Sequence, residues 1–199
     1  MAEARILAEA VSIEADLGFT IDALGQWLEV IDAGPDSHSA VIHARALWSA
    51  AVVAYARAFG GRLRAGGAPL VSRQLLVGAG EGATEFHDWV LGLRNKHVAH
   101  SVNPYEQTSV GIVLSGDQPP LVVGIAYLQS MHVGPDRNGV EQFRRLTGWV
   151  LETVRARRKS LEVDALAAAD QLGGAEISRK PKLRNVIPGP RDATTARKT

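Results

Sequence analysis

Apolar residues recur at alternating steps of three and four along the N-terminal part of this chain. An α-helix turns once every 3.6 residues, so this spacing places the apolar side chains on one stripe of a single long helix. Gly18 and Gly25 weaken the helix locally, but they do not interrupt the stripe. The stripe consists of Ile6, Ala10, Ile13, Leu17, Ile21, Leu24, Leu28 and Ile31.

Three further helices are predicted after the turn signal Gly34-Pro35-Asp36-Ser37. The second helix runs from about 38 to 59 and ends at a glycine pair. The third begins near Thr84, which we interpret as its N-cap, and is bounded by Pro104. The last long helix opens at Pro135-Asp136 and ends near Gly173.

Two other segments have a different character. Residues 60–83 are rich in glycine and form a loop that encloses one short element at about Leu70 to Val77. Farther along, Val110, Ile112 and Leu114 alternate with smaller or polar residues, and an apolar run follows over 121–128. This period-two pattern predicts a β-hairpin over about 108–129.

The length of 199 residues fits one domain with an appendage. We predict a mainly α domain over 1–173, a bundle of about four long helices with the hairpin inserted before the last one. Residues 174–199 are polar and basic, which predicts a flexible tail. The absence of cysteine excludes disulfides, thiolate metal sites and a cysteine nucleophile. No secretory pattern and no run of ~20 apolar residues is found, so we expect a cytoplasmic protein without a membrane partner.

The segment Arg94-Asn95-Lys96-His97-Val98-Ala99-His100 concentrates the usable chemistry of the chain. Arginine binds phosphate oxygens through its planar fork, and histidine exchanges protons near neutral pH. On an α-helix, Arg94 and His97 differ by ~60°, whereas Arg94 and His100 differ by ~120° and ~9 Å of axial rise. One helix cannot direct both ends of the motif at a single phosphate. A homodimer with its two-fold axis near the motif would supply the second surface.

Arg94-Asn95 followed by four residues and His100 resembles the R-(polar)-x4-H motif of the HEPN superfamily, whose members are helical and include many metal-independent endoribonucleases. The wider segment from Leu93 to Ser101 is similar to members related to abortive-infection and toxin proteins of bacteria. Two long helices before the motif helix and one after it also fit that family's bundle. The hairpin departs from the simplest bundle, and we interpret it as an insertion that contacts substrate or a partner.

The resemblance implies a role for each residue of the motif. Arg94 would bind and stabilise the scissile phosphate, Asn95 would be the polar residue beside it, and His100 would transfer protons. Lys96 and His97 would support phosphate binding. An acidic residue upstream assists in some members, for which Asp88 and Glu85 are the candidates.

The implied activity is RNA cleavage by attack of the 2′-hydroxyl, leaving a 2′,3′-cyclic phosphate, with no cofactor and no metal. Such an enzyme would act as a toxin or in phage defence, with RNA as substrate and an antitoxin protein as a further partner. The alternative within the resemblance is a HEPN domain without activity that serves as an RNA-binding or protein-interaction module. A third reading is an unrelated helical regulatory protein in which the motif is accidental.

Simpler readings of the same residues stay open at this point. Arg94 could form a surface ion pair, and His100 could cap the last carbonyls of its helix. A metal pair of His97 and His100 is disfavoured, because no carboxylate stands at zinc-site spacing. The glycines over 78–82 lack the context of a nucleotide loop. The basic run 155–159 is typical of a solvated helix face.

Overall fold

The computed structural model describes residues 2–34, 37–60, 71–98, 107–130 and 134–179, together with 182 and 189. The described chain is mainly helical and contains one two-stranded antiparallel hairpin, which confirms the coarse prediction of fold class. In chain order the elements are α1 (Ala2–Asp32), α2 (His38–Phe59), a 3₁₀ helix (Arg73–Gly78), α3 (Ala83–Leu93), a π-helical turn (Arg94–Val98), β1 (Thr108–Leu114), β2 (Val122–Gln129), α4 (Arg137–Leu172) and the short α5 (Gly174–Ile177).

The core forms where α1 packs against both α2 and α4. The predicted stripe of α1 points into it, since Ile13, Leu17 and Leu24 are fully buried. Aromatic rings fill the space between α2 and α4. The ring of Phe143 packs edge-on against Trp48 at 5.7 Å and against Tyr55 at 4.9 Å between centroids. Edge-to-face contacts of this kind add to the free energy of burial.

Ion pairs mark both ends of the contact between α1 and α4. At one end Arg137 pairs with Asp32. At the other end the Glu14 carboxylate forms ion pairs with two arginines, lying 3.0 Å from Arg155 Nε and 2.8 Å from Arg158 Nε. Because residue numbers rise along α1 as they fall along α4, the two helices are antiparallel. These side chains are partly exposed, so the ion pairs contribute little to the free energy of unfolding. They show which turns of α1 and α4 lie beside each other.

The helix ends follow ordinary capping chemistry, with one correction to the sequence analysis. Ser37 caps α2 by accepting the Ala40 N–H at 3.1 Å, and Asp136 caps α4 by accepting the Gly139 N–H at 2.8 Å. The N-cap of α3 is Gly82 rather than Thr84. Gly82 has a φ of 72°, a left-handed conformation that glycine adopts readily and threonine does not. The helix therefore starts one residue before Thr84.

The short element predicted within the glycine-rich loop is the 3₁₀ helix Arg73–Gly78, and residues 61–70 of that loop lie outside the described residues. This helix is fixed to α4 through Trp149. The indole Nε1 of Trp149 donates a hydrogen bond to the Leu75 carbonyl at 3.0 Å. A Cβ built on Gly78 would stand 2.7 Å from the same ring, so the close approach requires glycine at this position.

The hairpin occupies the predicted range. Its strands are antiparallel, with Val110 opposite Tyr127 and Ile112 opposite Ile125. The tail was predicted to be flexible from residue 174 onward, but Gly174–Ile177 form the single helical turn α5. Most of the tail lies outside the described residues, so its flexibility stays a prediction.

Among the described helices, α2 is long and apolar enough, by length and composition alone, to cross a membrane. In this fold the same apolar composition serves the core, because Trp48, Val52 and Tyr55 of α2 are buried against neighbouring helices.

A polar pair is enclosed between α2 and α3. The hydroxyl of Tyr55 lies 3.0 Å from Nδ1 of His87, and both residues are buried. Burial raises the pKa of the Tyr55 phenol. Burial also lowers the pKa of His87, partly offset by Asp88, which raises it, while Arg73 lowers it further. At neutral pH the pair is therefore an uncharged hydrogen bond inside the core.

The lowered pKa of His87 predicts that stability depends on pH. The unfolded chain binds a proton at His87 near the ordinary pKa of ~6.5, whereas the folded chain binds it only at lower pH. The free energy of unfolding should therefore fall as pH is lowered from about 7.5 to 5.5. His87→Gln should flatten this slope in urea titrations, and His43→Gln, at an exposed position of α2, should leave it unchanged. Equal slopes in both variants would contradict the assignment.

Candidate functional site

The buried face of α3 determines where the motif begins. Val90 and Leu93 are buried on this face. The N–H of Arg94 continues the helical hydrogen bonds, since it donates to the carbonyls of Leu91 and Val90. Arg94 is thus attached to a backbone that the core holds in place, while its own side chain is exposed.

Arg94, Asn95 and Lys96 are three consecutive exposed residues at this end of α3. Nη1 of Arg94 donates a hydrogen bond to Oδ1 of Asn95 at 3.0 Å. This bond occupies one of the five N–H donors of the guanidinium, and it leaves the amide nitrogen of Asn95 with its own two donors. The trio therefore offers N–H donors and two positive charges on one exposed segment, which is the chemistry that binds a phosphate.

The motif backbone is a π-helical turn over Arg94–Val98. A π-helix bonds residue i to i+5 and has more residues per turn than an α-helix, so positions 94 and 97 lie farther apart around the axis than the ~60° expected from α-helical geometry. The ~60° between Arg94 and His97 in the sequence analysis was therefore wrong, because it assumed a regular α-helix; the angle to His100 lies outside the described residues and stays a prediction. π-turns are rare and occur often at functional sites.

The structure describes the two histidines of the motif to different extents. The backbone of His97 belongs to the π-turn, and its side chain lies outside the described residues. His100 also lies outside them. The structure thus brings Arg94, Asn95 and Lys96 together, and the roles of both histidines stay predictions.

The two candidate acidic assistants lie on α3 before the motif. Asp88 is engaged by Arg73 of the 3₁₀ helix, with Nη2 and Oδ2 2.6 Å apart. Glu85 is exposed in the first turn of α3, nine residues and about 13 Å of axial rise before Arg94. The geometry gives Asp88 a partner other than Arg94. Sequence reasoning missed Arg73, because a residue in a glycine-rich loop carries no periodic signal.

The basic run of α4 is partly neutralised by its neighbours. Arg155 pairs with Glu14 and Glu152, and Arg158 pairs with Glu14 and Glu162. The hydrogen bonds to Glu14 and Glu152 raise the pKa of Arg155. Two of the arginines in this run are therefore engaged with carboxylates, as expected for a solvated helix face.

In the described part of the chain, no three histidine or acidic side chains are grouped closely enough to hold a metal ion. Comparison of the chain with protein families, with curated proteins and with solved structures finds no match. The interpretation of this site therefore depends on the motif residues and on their geometry.

Asp88→Asn tests whether this carboxylate acts in chemistry or only in the ion pair. Both partners are about half exposed, so loss of the pair should lower the free energy of unfolding by less than about 1 kcal/mol. Because Asp88 is held by Arg73, RNA cleavage of the kind that the HEPN resemblance implies should stay within about threefold of the unmodified level, a change small beside the 10²–10⁴ of general acid–base catalysis. Arg73→Gln is the matched control for the pair. A loss of tenfold or more in Asp88→Asn alone would assign the carboxylate a catalytic role.

Proposed function

We propose that this protein is a metal-independent endoribonuclease of the HEPN type. The observation that carries the proposal is the exposed Arg94–Asn95 pair, joined by a 3.0 Å hydrogen bond at the first residues of a π-helical turn. A mainly helical chain with two long helices before the motif and one after it supports the same assignment. We propose in the same way that the helical bundle is a HEPN domain.

RNA contains its own nucleophile, which limits what the enzyme must provide. The 2′-oxygen attacks the adjacent phosphorus while a base removes its proton, and the bond from phosphorus to the 5′-oxygen breaks as that oxygen is protonated. In the proposal His100 transfers protons. Arg94 stabilises the charge that develops on the phosphorane, with Asn95 beside it. The products are a 2′,3′-cyclic phosphate and a 5′-hydroxyl, and DNA is not cleaved.

The proposal includes a homodimer in which Arg94 of one chain acts with His100 of the other. Lys96 and His97 contribute to phosphate binding, and Asp88 and Glu85 are the candidates for an acidic assistant. A role as a toxin or in phage defence, a cytoplasmic location and an antitoxin partner follow from the same resemblance. No cofactor or metal is needed, because the nucleophile and the proton transfers come from RNA and side chains.

The direct test compares RNA cleavage by the unmodified protein, Arg94→Ala and His100→Ala in the presence of EDTA. Loss of Arg94 should lower the cleavage rate by about 10²–10³, as for removal of one donor to a developing oxyanion. Loss of His100 should lower it by about 10²–10⁴. Arg145→Ala and His43→Ala change exposed residues outside the motif and should leave the rate unchanged.

The products and the substrate define the outcomes of this test. A 2′,3′-cyclic end, and resistance of a substrate with 2′-deoxyribose at the scissile position, would support the proposed chemistry. Cleavage that persists in Arg94→Ala would contradict it. Absence of cleavage with retained, Arg94-dependent RNA binding would favour the alternative, a HEPN module without activity.

A mixing experiment tests the shared site separately. Arg94→Ala and His100→Ala proteins are each inactive in the proposal, but a mixed dimer has one site with both residues intact. Random re-association makes half of the dimers mixed, with one of two sites restored, so activity should return to about one quarter of the unmodified level. No recovery after proven exchange of subunits would place Arg94 and His100 in the same chain.

A further inference from the structure

The hairpin exposes an apolar surface that the described part of the chain leaves uncovered. Side chains alternate across a strand, and opposite residues share a face, so the register assigns six large apolar side chains to one face. Each of them is between 54% and 73% exposed. They are Val110, Ile112 and Leu114 of β1 with Tyr127, Ile125 and Val122 of β2; we call this set the apolar hairpin face.

The opposite face of the hairpin is different in size and character. It carries Ser109, Gly111, Gly124 and Ala126, with Val113 and Leu128 as larger residues, and Val123 stands unpaired at the register shift beside Leu114. The alternation of large apolar and small residues is the pattern of a sheet with one face in a core. The hairpin therefore has the sequence of a half-buried sheet and the exposure of a free one.

We infer that the apolar hairpin face is the interface that joins two copies of this chain. Side chains exposed to this degree offer on the order of 600 to 800 Å² per chain, close to the ~800 Å² that each partner contributes to a specific interface. An apolar patch of several hundred Å² on a soluble chain marks an interaction surface. Two such faces can pack as stacked sheets about 10 Å apart.

The charge of the hairpin favours a second copy over other occupants. From Gln107 to Ser130 the sequence contains one charged residue, Asp117, which lies between the strands. A surface without lysine or arginine has nothing to attract RNA phosphates or anionic lipids. Both strands contribute large apolar side chains to this face, and neither contributes a charge. A two-fold axis would therefore pack apolar side chains of one copy against apolar side chains of the other, which makes the face self-complementary.

This inference goes beyond the proposed nuclease activity. The apolar hairpin face is exposed to water in the single chain whether or not the protein cleaves RNA. The two proposals also have separate readouts. Arg94→Ala should lower the cleavage rate by about 10²–10³ and leave the dimer intact, whereas loss of the dimer is measured without any RNA.

The test uses the full chain in sedimentation velocity over a range of micromolar concentrations. Ile125→Lys places a charge at the centre of the apolar face and should raise the dissociation constant of the dimer at least about 100-fold. Leu128→Lys is the matched control, because Leu128 is 72% exposed and lies on the opposite face of the same strand. Circular dichroism and the midpoint of thermal unfolding check that the helical domain is unchanged in both variants.

A cross-linking variant keeps the inference testable if Ile125→Lys does not fold. The chain has no cysteine, so Ile112→Cys introduces a single thiol on the apolar face and Val113→Cys a single thiol on the other. A short bis-maleimide should link two chains of Ile112→Cys and not of Val113→Cys. A monomeric unmodified protein, equal weakening by both lysine variants, or equal cross-linking by both thiols would overturn the inference.

Discussion

Helices α1 and α4 run antiparallel with their apolar stripes facing each other. Helix α2 also packs against α1. Buried side chains extend from Ala10 to Leu28 on α1 and from Val140 to Leu161 on α4. Burial of this surface supplies the main favourable free energy of the fold. The ion pairs of Glu14 and Asp32 are consistent with the register that this burial sets, because a slip by one turn would break both. α3 and the motif depend on this arrangement, since α3 packs against α2.

The long helices could be predicted because their signals are local and repeated. The bounds of α2 agree with the sequence analysis, as its N-cap Ser37 and terminal Gly60 are residues with strong positional preferences. Alternation likewise identified the first strand of the hairpin, and a short apolar run identified the second. The start of α3 was predicted at Thr84, whose side chain is typical of an N-cap, whereas the left-handed conformation of Gly82 that begins the helix is visible only in the backbone. The exposure of the hairpin could not be predicted, since alternation reports that a face needs cover and not what covers it.

The candidate site was predictable as a set of residue types but not as a geometry. Arg94, Asn95 and Lys96 stand next to each other in sequence, so their proximity required no knowledge of the fold. The π-turn beneath them has no sequence signature among those used for helices. The pairing of Arg73 with Asp88 joins residues fifteen positions apart, and no periodic pattern in the glycine-rich loop indicates that they meet. The hydrogen bond between Tyr55 and His87 could not be predicted from the sequence either. The two residues are far apart in the chain, and nothing in the pattern indicates that they pair.

The π-turn has a consequence for the tolerated length of the chain around the motif. Up to Leu93 the helix must keep its 3.6-residue period, because its buried face faces α2 and the core. Five residues bonded i to i+5 turn the backbone by about as much as four residues of an α-helix. Deleting any one residue of Arg94–Val98 would therefore restore the α-helical period with little rotation and leave the buried face of α3 unchanged, while it would shorten the spacing between the motif residues by one position. Spacing is then a constraint of its own, independent of which side chains the motif carries.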